Sequence, residues 1–595
     1  MPLLNTWVRR AVAVVAGLVL VAAPFYLSPG DEYIAGLAVI AILLALSYNL
    51  LLGSTGMVSF GHAAFYGVGA FTVALITTRL HGDALLGLAL APLIGAAFGV
   101  VAGAFCLRAV HLYFSLLTLA VSQLLYVAAF EADTITGGDN GIHGIPIPDF
   151  LNDPTRVYYF VLAVVAAGAA LLFVITRSPF GSALNAIREN RQRAAFIGLR
   201  VRAYELAAFT IASSLAAVAG ALYAVYDQQA FPGLMFWTES GIPILMVLIG
   251  GSGIFFGPAL GAIFYTFLAA KVQSSTIYWD LIIGAVLLFI VLALPGGLAS
   301  IPERVRALVA RGRPTREDRI EEISVSPRNV NDSPPPSEGR VREGGGSDGH
   351  LLVVRGLSKH FMGLRAVDGV DLDVTTGKVH AVIGPNGAGK STLFNLVSGR
   401  IRPDSGTVVF DGTDVTGAAP NRLAHIGMGR GFQTTAVFPK LTVEENVRLA
   451  YMGIHGDTRR PIGSARKLYR EQVRETMASV GLKELSNTPA RELSHGHQRA
   501  LELGMSLALG ARLLLLDEPT AGMSPYETRR TLELLQRVVE SRDVTLLITE
   551  HDMEVVFGIA QTVTVMAEGH VLTEGSPDEV RRHPDVIRVY LGAET

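Results

Sequence analysis

The sequence has almost no cysteine and little charge for its length. Cys106 is the only cysteine among 595 residues, which excludes an intrachain disulfide and argues against a zinc site. Charged residues make up 17% of the chain and the net charge is −2, a balance that gives no indication of nucleic-acid binding. Half of the residues are hydrophobic and the mean hydropathy is +0.42, which is high for a soluble protein of this size. We therefore predict that part of the chain lies in a lipid bilayer and that Cys106 has a packing role.

The scarce charges lie mostly in the second half, and this divides the chain into three parts. Apolar runs of membrane-spanning length recur early and predict an all-α membrane bundle over residues 1–302. Residues 303–350 are rich in arginine, proline and glycine and poor in apolar residues, which predicts a flexible linker. Short apolar strands that alternate with helical patterns then predict an α/β domain over residues 351–595.

The apolar runs of the first part predict eight to ten membrane-spanning helices. Seven runs lie near 11–29, 33–52, 57–78, 84–107, 109–130, 157–176 and 204–226, and three shorter ones near 241–251, 253–271 and 276–294. Arg9 and Arg10 before the first run would fit a cleaved signal sequence, but because more apolar runs follow it, we favour a membrane helix with a cytoplasmic N-terminus. The region 241–298 crosses either three times or once with re-entrant pieces, and three crossings, hence ten helices, are favoured.

Charge placement also predicts which loops share a side of the membrane. The loop Glu131–Arg156 carries five acidic residues against one arginine, which indicates an external position. The loop Arg177–Ala203 carries six arginines, which indicates a cytoplasmic position. The region 241–298 must then cross an odd number of times if the charged second half of the chain is to lie in the cytoplasm.

The most specific motif of the chain is the segment Gly384–Thr392, which reads GPNGAGKST and fits the phosphate-binding pattern G-x-x-x-x-G-K-[ST]. The apolar run His380–Ile383 predicts a buried strand before it, and Thr392–Val397 predicts a helix whose N-terminus faces the anion. We therefore predict that ATP is bound by Gly384, Pro385, Asn386, Gly387, Ala388, Gly389, Lys390, Ser391 and Thr392. Lys390 places its charge on the phosphates, and the Ser391 hydroxyl is a ligand for Mg²⁺.

Further motifs in the second half supply the residues that hydrolysis needs. The leucine run Leu513–Leu516 predicts a strand that ends in Asp517, a second Mg²⁺ ligand, and Glu518, the base that polarises the attacking water. Gln433 lies in the segment RGFQTT, and His551 follows the predicted strand Thr545–Ile548. The segment Leu493–Arg499 reads LSHGHQR and precedes a helix, where Ser494 and Gly496 are placed to bind phosphate.

The order of these motifs resembles the ATP-binding cassette (ABC) family over nearly all of residues 351–595. The resemblance implies that Gln433 senses Mg²⁺ and water and helps to hold the ion, that His551 contacts the γ-phosphate and that Phe361 stacks on adenine. It also implies that two such domains enclose two ATP molecules, each between a phosphate loop and the opposite signature segment. That segment comprises Ser494, His495, Gly496, His497 and Gln498, and the two histidines stand where the family commonly has Gly and Gln. The strength of its contact with ATP therefore stays open.

Two stretches of the first part invite a functional interpretation. The segment Gly53–Gly69 contains Gly56, Ser59, Gly61 and His62, which fit either close helix packing through small residues or a broken helix that lines a substrate path. The loop Ser178–Val201 begins with a helix-capping Ser178 and Pro179 and has a partly apolar face. It fits either a solvated basic loop or a short helix that docks on the ATPase, and docking is favoured. The coupling helix is predicted to contain Ala186, Ile187, Arg188, Glu189 and Asn190.

The segments Ser47–Phe71, Ser178–Val201 and Ala521–Pro525 (AGMSP) and the C-terminal Tyr590-Leu-Gly resemble the ABC importers of branched-chain amino acids. The resemblance implies a permease fused to its ATPase in a bacterial inner membrane, ATP-driven uptake of hydrophobic amino acids, and ATP with Mg²⁺ as cofactors. It also implies a second permease and ATPase, identical or paralogous, and an external solute-binding protein. Relatives that carry urea or short amides leave the substrate open. A non-pumping ATP-gated channel or a regulatory membrane ATPase is the alternative of another class, and the helix count disfavours an exporter.

Overall fold

The computed structural model describes residues 17–109, 112–294, 296–301, 349–433, 436–542 and 544–591. The chain divides into two compact units. The first consists of Met1–Ile301 together with Pro420–Gly429 and Thr434–Ala511, and the second consists of the rest. Arg9, Arg10 and nearly all of the predicted linker 303–350 lie outside the described residues, so the boundaries at 302 and 350 stay predictions.

Helices make up almost all of the described part of residues 17–301. They are α1 Gly17–Tyr26, α2 Pro29–Leu52, α3 His62–Thr78, α4 Ala84–Cys106, α5 Leu112–Glu131, α6 Asp133–Thr136, α7 Pro154–Arg177, α8 Pro179–Glu189, α9 Arg191–Phe196, α10 Val201–Asp227, α11 Gly241–Gly250, α12 Gly257–Gln273 and α13 Trp279–Ala293. Their starts follow from local sequence, since Ser28, Asp83 and Asp153 each accept a backbone N–H at the first turn of α2, α4 and α7.

The apolar helices of the described residues differ in length, and three of them, Gly17–Tyr26, His62–Thr78 and Trp237–Gly250, are shorter than 18 residues. Within the described residues six segments are long and apolar enough to cross a membrane, namely α2, α4, α5, α7, α10 and Leu281–Ser300. The run 57–78 is helical only from His62, because the chain up to Gly61 is not helical. The region 241–298 breaks into α11, α12 and α13, and Gly251 between the first two has a φ of +100°, which a helix cannot contain.

Small residues pack the membrane helices closely around α10. A Cβ at Gly69 would lie 1.8 Å from the carbonyl oxygen of Ala217, and one at Gly220 would lie 1.7 Å from that of Tyr66. The backbones of α3 and α10 therefore touch, which confirms that the glycines after Gly61 allow close helix packing. Cys106 is fully buried at the end of α4, as predicted.

The acidic loop and the arginine-rich loop lie at opposite ends of α10. The short strands β1 (Ile142–His143) and β2 (Gln229–Ala230) pair, and the Ile145 N–H donates to the Gln228 carbonyl at 3.1 Å, so the acidic loop packs where α10 ends. The helices α8 and α9 precede the other end, 27 residues and about 40 Å away. The two loops therefore face opposite sides of any membrane that the bundle spans.

The second half contains two sheets and several helices. Its strands are β3 His350–Phe361, β4 Leu364–Thr375, β5 Val379–Ile383, β6 Ser405–Phe410, β7 Thr413–Asp414, β8 Met428–Arg430, β9 Leu513–Asp517, β10 Thr545–Thr549, β11 Thr562–Ala567 and β12 His570–Gly575. Its helices are α14 Lys390–Val397, α15 Pro420–His425, α16 Val443–His455, α17 Arg470–Ser479, α18 His495–Ala508, α19 Pro525–Arg542, α20 Met553–Ile559, α21 Pro577–Arg582 and α22 Pro584–Leu591.

The strands of these sheets belong to the second unit except for Met428 and Gly429 of β8, and the helices α15 to α18 belong to the first. Strands β4-β3-β6-β7 form an antiparallel sheet, and β11-β5-β10-β9 run parallel with β12 antiparallel at the edge. The strands β5, β9 and β10 are buried along their whole length, as expected for a parallel sheet that is covered on both faces. Their carboxyl ends meet at one edge, and this edge carries the phosphate-binding segment and Asp517.

Candidate functional site

The phosphate-binding segment forms a tight loop between β5 and α14, as the sequence predicted. Gly384, Gly387 and Gly389 all have positive φ, and a Cβ at Gly384 or Gly389 would lie 2.2 or 2.3 Å from a carbonyl oxygen of a neighbouring strand. No other residue type fits at those two positions without moving the backbone. The N-terminus of α14 therefore opens directly onto the loop, with Asn386, Gly387 and Ser391 exposed.

The Lys390 side chain lies back across the loop. Its Nζ donates to the carbonyl oxygens of Gly384 at 2.6 Å and Pro385 at 3.0 Å. Partial burial lowers the pKa of Lys390, and the charges of Glu518 and Asp517 oppose that shift. The cation is thus held above the loop that would receive the phosphates.

Asp517 ends β9 at the same edge of the sheet as the phosphate loop. Only β10 separates β9 from β5, so Asp517 lies about 10 Å across the sheet from the strand that enters the loop. Its carboxylate is buried, accepts a hydrogen bond from the Thr549 hydroxyl at 2.6 Å, and has Arg430 Nη2 at 4.0 Å. The Ser391 hydroxyl, the Gln433 amide and the Asp517 carboxylate all carry hard oxygen atoms of the kind that Mg²⁺ prefers, and a shared Mg²⁺ site stays a prediction.

Glu518 is held by its backbone in a strained conformation. Its φ is +47°, in the left-handed region, and its N–H donates to the carbonyl oxygen of Thr549 at 3.0 Å. The Gln433 side chain donates to the Glu518 carboxylate at 2.9 Å. The structure therefore brings together two of the three predicted catalytic side chains, which lie 85 residues apart in sequence.

The third predicted catalytic residue, His551, is positioned by a neighbour that the sequence analysis passed over. Glu550 is fully buried and accepts hydrogen bonds from the Thr520 N–H at 3.0 Å and hydroxyl at 2.6 Å. The His551 N–H donates to the same carboxylate at 3.3 Å, while the imidazole remains exposed. Glu550 therefore connects His551 with the segment after Glu518. In the sequence, its position between the predicted strand Thr545–Ile548 and His551 was the feature that could have identified it.

Arg430 is a second residue whose role the sequence analysis missed. Its buried guanidinium donates to the Phe394 carbonyl oxygen at 3.2 Å and to the Ser398 hydroxyl, both at the end of α14. Burial lowers its pKa to about 10, and the nearby Asp517 opposes this shift. The cation therefore connects the C-terminal end of the phosphate-loop helix, which favours positive charge, with the acid that ends β9.

The signature segment begins the helix α18, as predicted. Ser494 caps it by accepting the His497 N–H at 3.4 Å, and its hydroxyl lies 3.1 Å from His497 Nδ1. His495 is exposed, and the Gln498 amide donates to the Ala490 and Leu493 carbonyl oxygens. Ser494 and the first N–H groups of α18 are thus presented at a helix N-terminus. Phe361, the predicted adenine contact, lies partly exposed at the end of β3 with Lys359 over its ring.

The arginine-rich loop forms two short helices that dock on α15 to α18 within the first unit. Ser178 caps α8 and Pro179 is its first residue, so the predicted helix start is confirmed. The Phe180 N–H donates to the Arg460 carbonyl at 3.1 Å, and the Glu189 carboxylate accepts the Lys440 N–H at 2.9 Å. Burial raises the pKa of Glu189, and the nearby Lys440 and Arg188 oppose that shift. The solvated-loop interpretation of this segment is therefore wrong.

Glycines allow the docked surfaces to meet at backbone distance. A Cβ at Gly453 of α16 would lie 2.2 Å from the Ile197 carbonyl oxygen, and one at Gly198 would lie 2.8 Å from the His425 ring. Ala186 and Ile187 are buried in the same contact region. Asn190 ends α8 and caps α9 by accepting the Arg193 N–H at 2.8 Å. The five predicted coupling residues therefore all lie in or beside this docked pair of helices.

Arg188 points the other way, into the membrane half. Its guanidinium donates to the Gly53 carbonyl oxygen where α2 ends, and its Cγ lies 3.2 Å from the position of a Cβ at Gly56. Gly56 has a φ of +75° and lies in the non-helical segment between α2 and α3. The helix α8 thus has two contacts. One is with the part of the second half that belongs to the first unit, Pro420–Gly429 and Thr434–Ala511, termed the ATPase lobe, and the other is with the non-helical break between α2 and α3.

Polar groups are buried around that break. Ser59 N–H donates to the Tyr48 hydroxyl at 3.2 Å, and His62 Nε2 lies 2.9 Å from the Ser47 hydroxyl. A Cβ at Gly61 would lie 2.4 Å from the Thr118 carbonyl oxygen, so this glycine has a packing role. The freed backbone is satisfied by side chains of neighbouring helices, which is the condition for non-helical backbone inside a membrane protein. The break in the helix and the close packing are therefore both observed, and a substrate path along the break stays a prediction.

Family models match most of the chain in two successive blocks. Residues 32–291 match the model of the branched-chain amino acid transport system permease component. Residues 367–521 match the ABC transporter model, and residues 570–595 match the model of the branched-chain amino acid ATP-binding cassette transporter. The permease and ATP-binding matches are thus found in one polypeptide.

Curated relatives match the second half. The high-affinity branched-chain amino acid transport ATP-binding protein BraF of Pseudomonas aeruginosa is 37% identical over 41% of this chain and 98% of its own. A probable branched-chain amino acid transport ATP-binding protein LivG of Archaeoglobus fulgidus is 35% identical over 41% of this chain and 96% of its own. A solved ATP-binding cassette of an ABC transporter in its ADP conformation is 30% identical over 41% of this chain and 99% of its own, with a TM-score of 0.36.

Proposed function

Because the chain belongs to the branched-chain amino acid ABC transporter family, as a permease joined to an ATP-hydrolysing cassette, we propose that it imports branched-chain or other hydrophobic amino acids. The observation that carries the proposal is the double contact of α8. Glu189 and Phe180 contact the ATPase lobe, and Arg188 contacts the break after α2. An ATPase that only regulates needs no such path into a membrane bundle.

In the proposed ATP site, the loop N–H groups and Lys390 bind the phosphates, and Phe361 stacks on the adenine. Ser391, Asp517 and Gln433 hold Mg²⁺, which screens the phosphate charge when bound. Glu518 accepts the proton of the attacking water, and the Gln433 amide orients the Glu518 carboxylate. His551 contacts the γ-phosphate from the turn that Glu550 fixes.

Coupling in this scheme proceeds through contacts of α8. When two cassettes close on ATP, the helices α15 to α18 move together with the docked α8 and α9. Arg188 carries that displacement to Gly53 and changes the backbone between α2 and α3, where Gly56, Ser59, Gly61 and His62 line the proposed substrate path. The buried polar groups there offer hydrogen bonds to an amino acid that leaves water.

One chain supplies one permease and one cassette, so a complete transporter requires two of each. We propose a second copy or a paralogous permease and ATPase as the partner, with a solute-binding protein on the side of the acidic loop. The signature segment LSHGHQ of this chain would face the partner's ATP. The proposed location is a bacterial inner membrane, with the cassettes in the cytoplasm.

The proposal is tested by reconstituting the assembled transporter in vesicles that contain ATP in the lumen, with the binding protein and the labelled substrate added outside. Labelled leucine should accumulate against its gradient, whereas a channel would only equilibrate it, and an uptake of urea or short amides instead would replace the substrate. The variant Glu518→Gln should bind ATP but lose turnover, by about 10²- to 10³-fold if the carboxylate is the general base. Full ATPase activity in that variant would overturn the catalytic assignment.

A further inference from the structure

Arg193 occupies a place where arginines are rarely found. It lies on α9 of the arginine-rich loop, and its side chain has no exposed surface. Its surroundings are not those of the membrane bundle, because Nη2 donates to the Glu502 carbonyl oxygen at 3.3 Å and Nη1 lies 3.9 Å from Glu502 Oε1. These two residues are 309 positions apart in sequence.

Glu502 is shared by two cations. Arg499 Nη1 lies 2.9 Å from Glu502 Oε2, and all three side chains are almost completely buried. Burial lowers the pKa of Arg193, and the charge of Glu502 opposes that shift. A guanidinium in this position is tolerated only with its carboxylate partner, so α9 and α18 are held in one relative position.

The position of Glu502 on α18 connects the Arg193–Glu502 pair with the signature segment at the start of the same helix. Ser494 caps α18, and Glu502 follows it by eight residues, which is about 12 Å along the same helix. The α8 contacts, in contrast, reach Lys440 and Arg460 outside α18. Because a helix of 14 residues moves as a rigid element, a force applied at Glu502 reaches Ser494.

We propose that Arg193 is a positioning residue that ties the signature helix α18 to the permease, as a second coupling contact separate from α8. The inference rests on the proposed function, because it assigns Arg193 a part in coupled uptake. Closure of the signature segment on a partner's ATP would move Glu502, and Arg193 would transfer this movement to α9 and the start of α10. The Asn190 cap on the Arg193 N–H fixes the orientation of α9 for this contact.

The test compares Arg193→Met with wild type in the reconstituted full transporter. Methionine fills a similar volume without charge, and Glu502 keeps Arg499 as its partner, so the variant leaves no unpaired buried charge. We expect leucine uptake per ATP hydrolysed to fall about tenfold, with ATPase activity retained within about twofold. Unchanged uptake per ATP, or uptake and ATPase that fall in equal proportion, would overturn the proposal.

The matched control is Arg200→Met. Arg200 lies in the same arginine-rich loop and is exposed, so its replacement removes one charge without touching α18. It should keep wild-type uptake per ATP, and a deficit equal to that of Arg193→Met would count against a specific contact.

If Arg193→Met does not assemble, the variant Arg193→Lys provides the test, because lysine keeps the positive charge but lacks the planar guanidinium with its paired N–H donors. We expect it to lower uptake per ATP about threefold, and a wild-type ratio would overturn the proposal. Failure of the proposed function itself is distinguishable, since the wild type would then not accumulate leucine.

Discussion

The docked loop and α16 approach each other very closely at Gly453, so the substitution Gly453→Ala directly tests the contact between them. Gly453 lies on α16, where an added Cβ would come 2.2 Å from the Ile197 carbonyl oxygen, about 1 Å nearer than a normal C···O contact. The new methyl group would meet a backbone carbonyl, which cannot rotate away as a side chain could, so α16 and the loop must move apart. Overpacking of this kind costs about 1–3 kcal/mol, which corresponds to an about 5- to 150-fold loss of the docked state.

The assay is uptake of labelled leucine per ATP hydrolysed by the reconstituted transporter. We expect a decrease within that range, with nucleotide binding unchanged because the phosphate loop and Asp517 lie in the other unit. Gly558→Ala is the matched control, since Gly558 is an exposed residue of α20 with open space around its Cβ position. Wild-type uptake per ATP in Gly453→Ala would refute the docking contact.

Two further predictions concern buried ionisable groups. Glu502→Gln removes the carboxylate that the buried Arg193 and Arg499 share, so we expect the free energy of unfolding to fall by about 3–5 kcal/mol, measured with denaturant. Arg193→Met should lose less, and equal losses in the two variants would contradict the shared carboxylate. Burial lowers the pKa of His380, which lies 2.7 Å from the Thr564 hydroxyl, to about 4. The unfolded histidine binds a proton below about pH 6.5 and the folded one does not, so stability falls with decreasing pH between those values. Amide exchange in β5 should report about 2 kcal/mol less protection at pH 5 than at pH 7.5, and His380→Leu should lose this dependence.

The local chemistry of the ATP site was predictable because its motifs are contiguous. The glycines of the phosphate loop, the strand that ends in Asp517 and the Ser178 cap each follow from a few neighbouring residues. The contact between Arg193 and Glu502 was not predictable, because no local signal links residues 309 positions apart. The charge of Arg193 indicated only that its loop lies on the cytoplasmic side.

The ends of the membrane helices were less predictable than their presence, for a related reason. Hydropathy registers apolar composition but not the conformation of glycine, so the run 57–78 looked continuous although it is helical only from His62. The region 241–298 is apolar throughout, yet its helices have only 10, 17 and 15 residues. Gly251, with a φ of +100°, follows the first of them and cannot be helical.

The most direct test of the central claim is the stoichiometry of transport when α8 is disrupted. In the proteoliposome assay, Ile187→Asp together with Arg188→Glu replaces a buried apolar side chain of the docked helix and removes the guanidinium that contacts Gly53. We expect ATP hydrolysis to continue while leucine no longer accumulates. Accumulation at the wild-type ratio of leucine to ATP would contradict this expectation.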